Sequence, residues 1–333
     1  MIMKRYLALA LAIVLLISVC ALCACNNQNN PNGEHQDPPK KATIYLPDGA
    51  PALSVAKIIK DGSVGDTTVN TVITTGENVV AKCGSGEADI AVLPTNAAVN
   101  ICKKRNDYLL FSVNVYGVLY IVGTDCIESL AELQGKTLYS IGLANTPEYV
   151  FKTVCDNMGV KYQGSGAIDI QYQTDASTII PQILAGKASF ALIGEPAVTQ
   201  LMTNAQNKGI EVHNLFDLQA LWQTVTGSNQ KGYPQASMIV KKELLTDAFA
   251  KQLATALSEN NEFLTNNCST LSQLLVSVGS TLNISYTPDL LARCNLTVIP
   301  AQAAKADIER YLSAFTGVTL LPIPDSIYYE AKN

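Results

Sequence analysis

An internal match between two segments constrains the fold of this chain more than any other feature. Residues 69–101 align on residues 169–201 without a gap, at an offset of 100 positions. Gly86 falls on Gly186, Ala91 falls on Ala191, and the hydrophobic pattern around them is shared. In each copy this pattern predicts a strand, a helix, a glycine turn, a second strand and a second helix. In the first copy the strand begins at 69, the helix at 77, and the second strand covers 89–93. In the second copy the corresponding positions are 169, 177 and 189–193.

The match extends backward to a strand, a turn and a helix that begins with proline. Thr43–Ile59, with Pro51, parallels Thr137–Val154, with Pro147. Proline suits the first helical position because the N–H that it lacks would be unpaired there. Alternating strands and helices predict parallel sheets, so we expect an α/β fold of two doubly wound lobes. Such lobes close on a ligand between them; the alternative is a rigid pair without a functional cleft.

Two strand-like segments are placed to join the lobes. Phe111–Val122 predicts the first crossover and Gly232–Val240 predicts the second. Lobe one is therefore expected over residues 42–115 plus 238–330, and lobe two over residues 116–237. Four later helical stretches are expected to pack on lobe one: Asp247–Asn267, Thr270–Gly279, Pro288–Cys294 and Pro300–Thr316.

The N-terminus has the pattern of an export signal, because Met1–Arg5 is basic and Tyr6–Cys23 is almost wholly apolar. This run ends in Leu22-Cys23-Ala24-Cys25, which resembles the lipobox of bacterial lipoproteins. On that resemblance, residues 1–24 are a lipoprotein signal peptide and Cys25 carries the lipid. The alternative is an uncleaved transmembrane anchor, since about 18 apolar residues nearly span a bilayer. Residues 25–41, rich in Asn, Gln, Pro and Gly, predict a flexible tether.

Charge, cysteine and histidine content limit the possible functions. Cleavage after residue 24 lowers Lys plus Arg from 23 to 21 against 28 Asp plus Glu, a net charge of −7. No basic stripe is present, so nucleic acid is not expected as a partner. The six cysteines after Cys25 form no C-x-x-C pair, so no metal site is indicated and most are expected to be buried thiols. Two histidines, His35 and His213, give little support to a His-based triad or metal site.

Several segments together resemble the substrate-binding proteins of ABC importers, and most of all the nitrate, sulfonate, taurine and thiamine-precursor binders. In chain order they are YLPDGAPALSVAKII, SGEADIAVLPTNAAVNI, GLANTPEYVFKTV, IIPQILAGKASFALIGEPAVTQL, ALWQTVTG and GYPQASMIV. The resemblance implies two lobes and two crossovers in the type II periplasmic-binding arrangement, with neither catalysis nor a cofactor.

The same resemblance implies partners and a location. It implies a monomer that acyl chains such as palmitate anchor at the extracytoplasmic face of the cell membrane, and that delivers a small molecule to an ABC permease. The ligand class does not transfer, because the turns at the cleft contain no cationic residue that would select a sulfonate. A sulfonate, a pyrimidine and another heteroaromatic compound therefore stay open as ligands.

The candidate ligand site follows from the strand ends. In open α/β sheets, ligands bind beyond the carboxyl ends of the strands, where the following helices present free N–H groups. The turns in these places contain the candidates Gly49, Ala50, Thr75, Gly76, Thr95 and Asn96 in lobe one, and Asn145 and Thr146 in lobe two. The alternative for each of them is an ordinary turn or helix cap.

Three further candidates stand near the same edge. Glu148 and Glu195 lie near helix starts of lobe two, where they would pair with a cationic or NH-rich ligand; alternatively, they only complement the helix dipole. Tyr116 at the first crossover would stack on a bound ring or pack in the core. Trp222, the only tryptophan, is expected in the core.

Two other functional classes compete with the importer hypothesis. The same fold class includes a chorismate dehydratase of the menaquinone pathway, but that resemblance is weaker because such an enzyme is cytoplasmic and carries no lipobox. A surface receptor without a transport role would have the same sequence features. Adjacency of the gene to permease and ATPase genes would separate the receptor from the importer.

Overall fold

The computed structural model describes residues 40–228, 231–282, 284–315 and 320–331. Residues 40–333 form one compact unit. The expected signal peptide, Cys25 and residues 25–39 of the expected tether lie outside the described residues. The first strand begins at Lys41, which is the last residue assigned to the tether. No helix of the described ranges is long and apolar enough to cross a membrane.

Twelve strands of the described chain form two sheets. The larger sheet has the order β12-β5-β11-β4-β1-β3-β2 and the smaller has the order β10-β6-β9-β7-β8. The strands are β1 Lys41–Leu46, β2 Ser63–Val64, β3 Thr67–Ile73, β4 Ile90–Pro94, β5 Tyr108–Val115, β6 Leu119–Gly123, β7 Thr137–Ile141, β8 Asp169–Gln173, β9 Phe190–Gly194, β10 His213–Asp217, β11 Ala236–Lys241 and β12 Leu296–Pro300.

The helices lie mainly between the strands, as the alternating pattern predicts. They are α1 Ala50–Leu53, α2 Ala56–Asp61, α3 Gly76–Ser85, α4 Thr95–Lys104, α5 Thr146–Met158, α6 Ala176–Leu184, α7 Ala197–Gln206, α8 Leu218–Thr226, α9 Asp247–Ser258, α10 Asn260–Asn266, α11 Cys268–Val276, α12 Pro288–Arg293 and α13 Lys305–Ser313. Short 3₁₀ turns occupy Leu130–Leu133, Lys242–Leu244 and Asp325–Ile327.

The two sheets repeat the same arrangement of strands. In the larger sheet β1 lies between β3 and β4 and is parallel to both. In the smaller sheet β7 lies between β8 and β9 and is parallel to both. The matched glycines, Gly86 and Gly186, both adopt a left-handed conformation within two residues of a helix end. The predicted α/β fold with two wound lobes is therefore confirmed.

The first predicted helix is broken into α1 and α2. The break falls at Ser54 and Val55, where the Ser54 hydroxyl donates to the Pro51 carbonyl at 2.8 Å. The buried Asn260 supplies partners for the backbone on both sides of the break: its amide donates to the Leu53 oxygen at 3.0 Å and accepts from the Lys57 N–H at 3.0 Å. A side chain about 200 residues away in the chain thus satisfies groups that a continuous helix would have paired internally.

The segment predicted as one long crossover strand is divided between the two sheets. β5 ends at Val115 in the larger sheet, and β6 begins at Leu119 in the smaller. Two glutamine side chains hold the link: Gln235 accepts from the Val118 N–H at 2.9 Å, and Gln219 accepts from the Leu119 N–H at 2.8 Å. The polypeptide therefore changes sheets within three residues. The amides of Val118 and Leu119 are paired with side chains, and the Tyr116 N–H donates to the Asn295 carbonyl at 3.1 Å.

The C-terminal stretch differs from the prediction in two ways. β12 was not predicted; it adds an edge strand beside β5, and Pro300 ends it, which is a position that proline tolerates. α13 packs not only on lobe one but also on lobe two. The Ala314 carbonyl accepts from Thr153 at 3.1 Å, and Phe315 stacks on Tyr149 with centroids 4.6 Å apart. The helix packs on lobe two because the aromatic residue that follows its C-terminus, Phe315, contacts helix α5.

Three apolar clusters make up the core of the described chain. One lies within lobe one around Ile44, Leu53 and Met238, and another lies within lobe two around Val122 and Ile193. The third is continuous across both lobes and contains Leu110 and Ile239 of the larger sheet as well as Leu138 and Phe190 of the smaller. The lobes are thus in direct apolar contact.

The six cysteines of the described chain are unpaired. Four of them are buried, Cys268 is half-buried and Cys126 is exposed. The prediction that most are buried thiols is confirmed.

Candidate functional site

The carboxyl ends of the parallel strands meet at the interface between the lobes. β1, β3 and β4 run in parallel in the larger sheet, and β7, β8 and β9 run in parallel in the smaller. The Cβ position of Gly49, in the turn after β1, lies 3.5 Å from Pro196 Cδ, in the turn after β9. The turns after β1 and β9 therefore meet at one interface, where the sequence predicts ligand binding.

The turn after β1 contacts the other lobe directly. Gly49 and Ala50 are buried, and Leu282 of lobe one packs beside them against the apolar cluster of lobe two. Asp48 stabilises the turn, because its carboxylate accepts from the Gly49 N–H at 2.8 Å and from the Ser280 hydroxyl at 2.7 Å. Gly49 and Ala50 thus lie at the interface as predicted, although Pro196 faces them in this structure.

The turn after β3 is open to solvent. The Thr75 hydroxyl caps α3 by accepting from the Asn78 N–H at 3.3 Å. The space that a Cβ of Gly76 would occupy contains no atom within 4 Å. Thr75 therefore has the cap role that was the alternative to ligand binding, whereas Gly76 leaves the backbone accessible.

The turn after β4 carries a buried polar group without a partner. Thr95 is fully buried, and its hydroxyl lies 2.8 Å from that of Ser237 on β11. Asn96 follows it at the start of α4, and its buried Oδ1 has no hydrogen-bond partner among the described residues. A buried polar atom is normally paired, so Asn96 is free to bind a group that the protein itself does not supply.

Tyr116 presents a second buried group of this kind. It is 3% exposed, and its hydroxyl has no partner in the part of the chain that the structure describes. Burial, and then the nearby Asp307 carboxylate, raise the pKa of Tyr116, so its hydroxyl stays protonated and able to donate. Tyr116 also belongs to the apolar cluster that spans the lobes, so it both packs in the core and offers a polar atom.

The lobe-two candidates are mostly engaged with the protein's own groups. Asn145 is the N-cap residue of α5 and makes no side-chain cap bond. The hydroxyl of Thr146, next along, lies 2.8 Å from that of Tyr311 on α13, and both are buried. The carboxylate of Glu148 accepts from Lys152 and from the Ala144 N–H. Asn145 therefore has the freer side chain, while Thr146 bridges the lobes.

Glu195 is also engaged, but across the interface. Its side chain is 1% exposed, and Arg293 of lobe one donates to its Oε1 at 2.8 Å. The Thr199 N–H donates to its Oε2 at 3.1 Å. Neither Glu148 nor Glu195 thus has a free carboxylate for a cationic ligand in this structure.

Arg293 and Tyr311 were not predicted from the sequence, although their side chains form hydrogen bonds to residues of lobe two. Both lie in C-terminal helices that were predicted only to pack on lobe one. No local pattern distinguishes them, because contact with lobe two depends on how the chain returns after β11 and β12. Trp222 was placed correctly: it is 2% exposed and packs against Tyr233 and Tyr311 with ring centroids 5.4 and 5.7 Å away.

A small cavity lies on the crossover side of the interface. Its volume is about 10 Å³, which is room for about one water molecule. Its walls come from both lobes and both crossovers: Tyr116, Trp222, Ser228, Gly232, Tyr233, Pro234, Asp307, Arg310 and Tyr311. This cavity therefore has room for a water molecule but not for a larger ligand.

Comparison with known proteins supports the fold. No protein-family model matches the sequence, and no curated protein matches it. Among solved structures, an ABC transporter from Parabacteroides distasonis has a TM-score of 0.72 at 19% identity, covering 88% of this chain and 100% of that one. The periplasmic aliphatic sulphonate-binding protein of Escherichia coli has a TM-score of 0.64 at 15% identity, covering 89% and 94%.

This chain has the fold of the two-lobed binding proteins. The ligand-binding component of an ABC-type import system from Staphylococcus aureus, solved with zinc bound, is also similar, with a TM-score of 0.63 at 10% identity over 88% and 99% of the two chains. At these identities the likeness concerns the fold, and in that respect it confirms the resemblance predicted from the sequence. Within the described residues, no cluster of three or more His, Cys, Asp or Glu side chains is placed to hold a metal ion.

Proposed function

We propose that this protein is the extracytoplasmic solute-binding component of an ABC importer. In this proposal it captures a small molecule between its lobes and presents it to a permease, while the lipid on Cys25 keeps it at the membrane. One observation carries the proposal: two lobes with the same strand arrangement bring the turns after β1 and β9 together, and two crossovers join the lobes. Lobes that are joined in this way can separate and close as hinged bodies.

The mechanism is a population shift between open and closed lobes. A ligand that contacts both lobes makes those contacts only in the closed form, so binding favours closure. The close approach of Gly49 to Pro196 and the hydrogen bond between Thr146 and Tyr311 belong to this closed form. Opening exposes part of the apolar cluster that spans the lobes, and closure on the ligand buries it again.

The free polar groups at the interface favour a neutral heteroaromatic ligand, such as a pyrimidine, over a sulfonate. Asn96 Oδ1 and the Tyr116 hydroxyl are buried without partners among the described residues, and they suit the N–H groups and ring nitrogens of such a ligand. Two arginines of the described chain lie at the interface, and both already have a carboxylate partner: Arg293 is paired with Glu195, and Arg310 with Asp307. A sulfonate would have to compete with these carboxylates.

Thermal stabilisation tests the proposal. Residues 40–333 are screened against pyrimidines, riboflavin, aromatic acids, sulfonates and nitrate. A ligand present at 100 times its dissociation constant is expected to stabilise the protein by about 2.7 kcal/mol. Absence of a shift with every compound would contradict solute binding of these classes.

A matched pair of variants locates the site. Tyr116→Phe removes one unpartnered hydroxyl at the interface, and Tyr328→Phe removes another that lies beside Leu110, nearer the opposite end of β5. We expect Tyr116→Phe to reduce the ligand-dependent shift and Tyr328→Phe to preserve it. Equal effects of the two variants would place the ligand elsewhere.

The lipid anchor is tested separately in the full chain. Cys25→Ser should release the protein from membranes of the expressing cell if that residue is acylated. Retention of the variant in the membrane fraction would favour the uncleaved transmembrane anchor.

A further inference from the structure

An ion pair joins the two lobes beside the first crossover, where the Glu195 N–H donates to the Val118 carbonyl at 2.9 Å. Arg293 is the last residue of α12, the helix that precedes β12 in the chain. β12 belongs to the larger sheet. Glu195 directly follows β9 of the smaller sheet. The Arg293 Nε donates to Glu195 Oε1 at 2.8 Å, and its Nη2 donates to the Thr199 hydroxyl at 3.0 Å. Among the ion pairs of the described ranges, it alone joins the two lobes.

The two partners differ in exposure, and this difference determines what opening does. The Glu195 side chain is 1% exposed, whereas that of Arg293 is 41% exposed. Within its own lobe, Glu195 keeps the N–H and the hydroxyl of Thr199 as donors at 3.0–3.1 Å. A buried carboxylate needs charged or hydrogen-bonded partners, and Arg293 supplies the charge only while the lobes are closed.

We propose that Arg293 is a positioning residue that holds the lobes closed through Glu195 and Thr199. The ion pair stabilises the closed form and is absent from the open form. It therefore shifts the equilibrium toward the closed form before any ligand binds. Glu195 is therefore assigned to lobe closure rather than to the ligand. The inference rests on the proposed function in so far as the open form is the one that admits a ligand.

Closure of this kind also tunes ligand affinity. When the closed form is more populated, less free energy is needed to reach the liganded closed form. At the same time, the open form that admits the ligand is rarer. Arg293 would therefore affect binding without touching the ligand. Because it acts through another residue, its effect must be measured on the lobe equilibrium itself.

Single-molecule energy transfer between the lobes, without ligand, tests the proposal. Residues 40–333 form a compact unit, so this segment is used, with dyes on Lys104→Cys of lobe one and Lys187→Cys of lobe two. Both positions are exposed. The exposed Cys126 and half-buried Cys268 are replaced by serine. We expect Arg293→Gln to raise the ratio of open to closed molecules by about tenfold, within the usual range of coupling between sites.

Three further variants show whether Arg293 acts specifically on lobe closure or through a general loss of stability. Arg293→Lys should give an intermediate ratio, because it keeps the charge but not the second bond to Thr199. Arg105→Gln breaks an arginine–aspartate pair within lobe one and should leave the ratio unchanged. Glu195→Gln combined with Arg293→Gln should open the protein no further than the stronger single variant, because both remove the same interaction.

Two results would overturn the proposal: an unchanged ratio in Arg293→Gln, or additive effects in the double variant. Neither measurement uses a ligand or a permease, so the outcome is independent of the ligand screen. If Arg293→Gln opens the protein but none of the screened compounds binds, the role of Arg293 in lobe closure is supported and the proposed transport function is not. If a ligand binds but Arg293→Gln leaves the ratio unchanged, the transport function is supported and the role of Arg293 is not.

Discussion

At the scale of single residues, two backbone segments approach each other closely where the two crossovers meet. A Cβ on Gly232 would lie 2.1 Å from the Tyr116 carbonyl oxygen, and the φ of Gly232 is +99°. Real Cβ atoms do not approach backbone oxygen so closely, and the left-handed region disfavours residues with a side chain. The second crossover can therefore lie against the first only because this residue is glycine.

Gly232→Ala should consequently lower the free energy of unfolding by about 3 kcal/mol or more, because the atom in the way belongs to the backbone and cannot rotate aside. Gly209→Ala is the matched control: its φ is +69°, but its Cβ position has no atom within 4 Å. The control should cost only about 1 kcal/mol, from the left-handed conformation. Urea denaturation of both variants measures the difference, and equal losses would show that the close approach is not the cause.

At the scale of secondary-structure elements, the start of α5 shows how a helix end is stabilised at the lobe interface. Ala144 precedes the helix with a φ of +55°, which is unusual for a residue other than glycine. Glu148, in the first turn, accepts from the Ala144 N–H and from Lys152. The carboxylate thus holds the turn in place, in keeping with the preference of helix starts for negative charge.

The stability that Glu148 provides should depend on pH. Burial acts to raise the pKa of Glu148, but the hydrogen bonds from Lys152 and Ala144 outweigh it and lower the pKa below its usual value of 4.5. A lowered pKa adds stability that is present above pH 4.5 and is lost as the pH falls through the folded-state value. We expect Glu148→Gln to lower the free energy of unfolding by about 1 kcal/mol at neutral pH.

This difference between Glu148→Gln and the unchanged protein should shrink as the pH falls below 4.5. Denaturant titrations at neutral and at acidic pH measure it. A difference that stays constant with pH would mean that Glu148 acts through packing and not through its charge.

α13, like α12, connects lobe one to lobe two through a side-chain hydrogen bond. Tyr311 is 1% exposed, its ring is parallel to that of Tyr233 within 6°, and its hydroxyl bonds to Thr146. Tyr311→Phe removes that bond alone and should cost about 1 kcal/mol of unfolding free energy, since it leaves the Thr146 hydroxyl buried without its partner. Tyr328→Phe, which removes a buried hydroxyl that has no partner among the described residues, should cost less. Thermal denaturation compares the two, and an equal loss would argue against the bridge.

At the scale of the whole molecule, the lobes share an apolar core as well as a pair of crossovers. The spanning cluster contains strand residues of both sheets together with Trp222 and Tyr311. Neither lobe can lose its structure without exposing part of this cluster, so the lobes should not unfold independently. The same cluster limits how far the lobes can open.

We therefore predict one cooperative unfolding transition for residues 40–333. Trp222 is the only tryptophan, and its fluorescence reports on the cluster between the lobes, while far-UV circular dichroism reports on all helices. The two probes should give the same denaturant midpoint, as two-state unfolding requires. A fluorescence transition at clearly lower denaturant would show that the lobes separate before they unfold.

Local patterns in the sequence were sufficient to predict the repeated strand–helix units, the two lobes and the changes of lobe near Gly117 and Gly232. They were sufficient because periodicity and glycine placement act over short stretches of chain. The roles of Asn260, Glu195, Arg293 and Tyr311 were decided only by the tertiary structure. Each of these side chains meets a partner far away in the chain, about 100 to 200 residues distant. Contacts of that kind depend on how the lobes are turned toward each other, and no local pattern records that orientation.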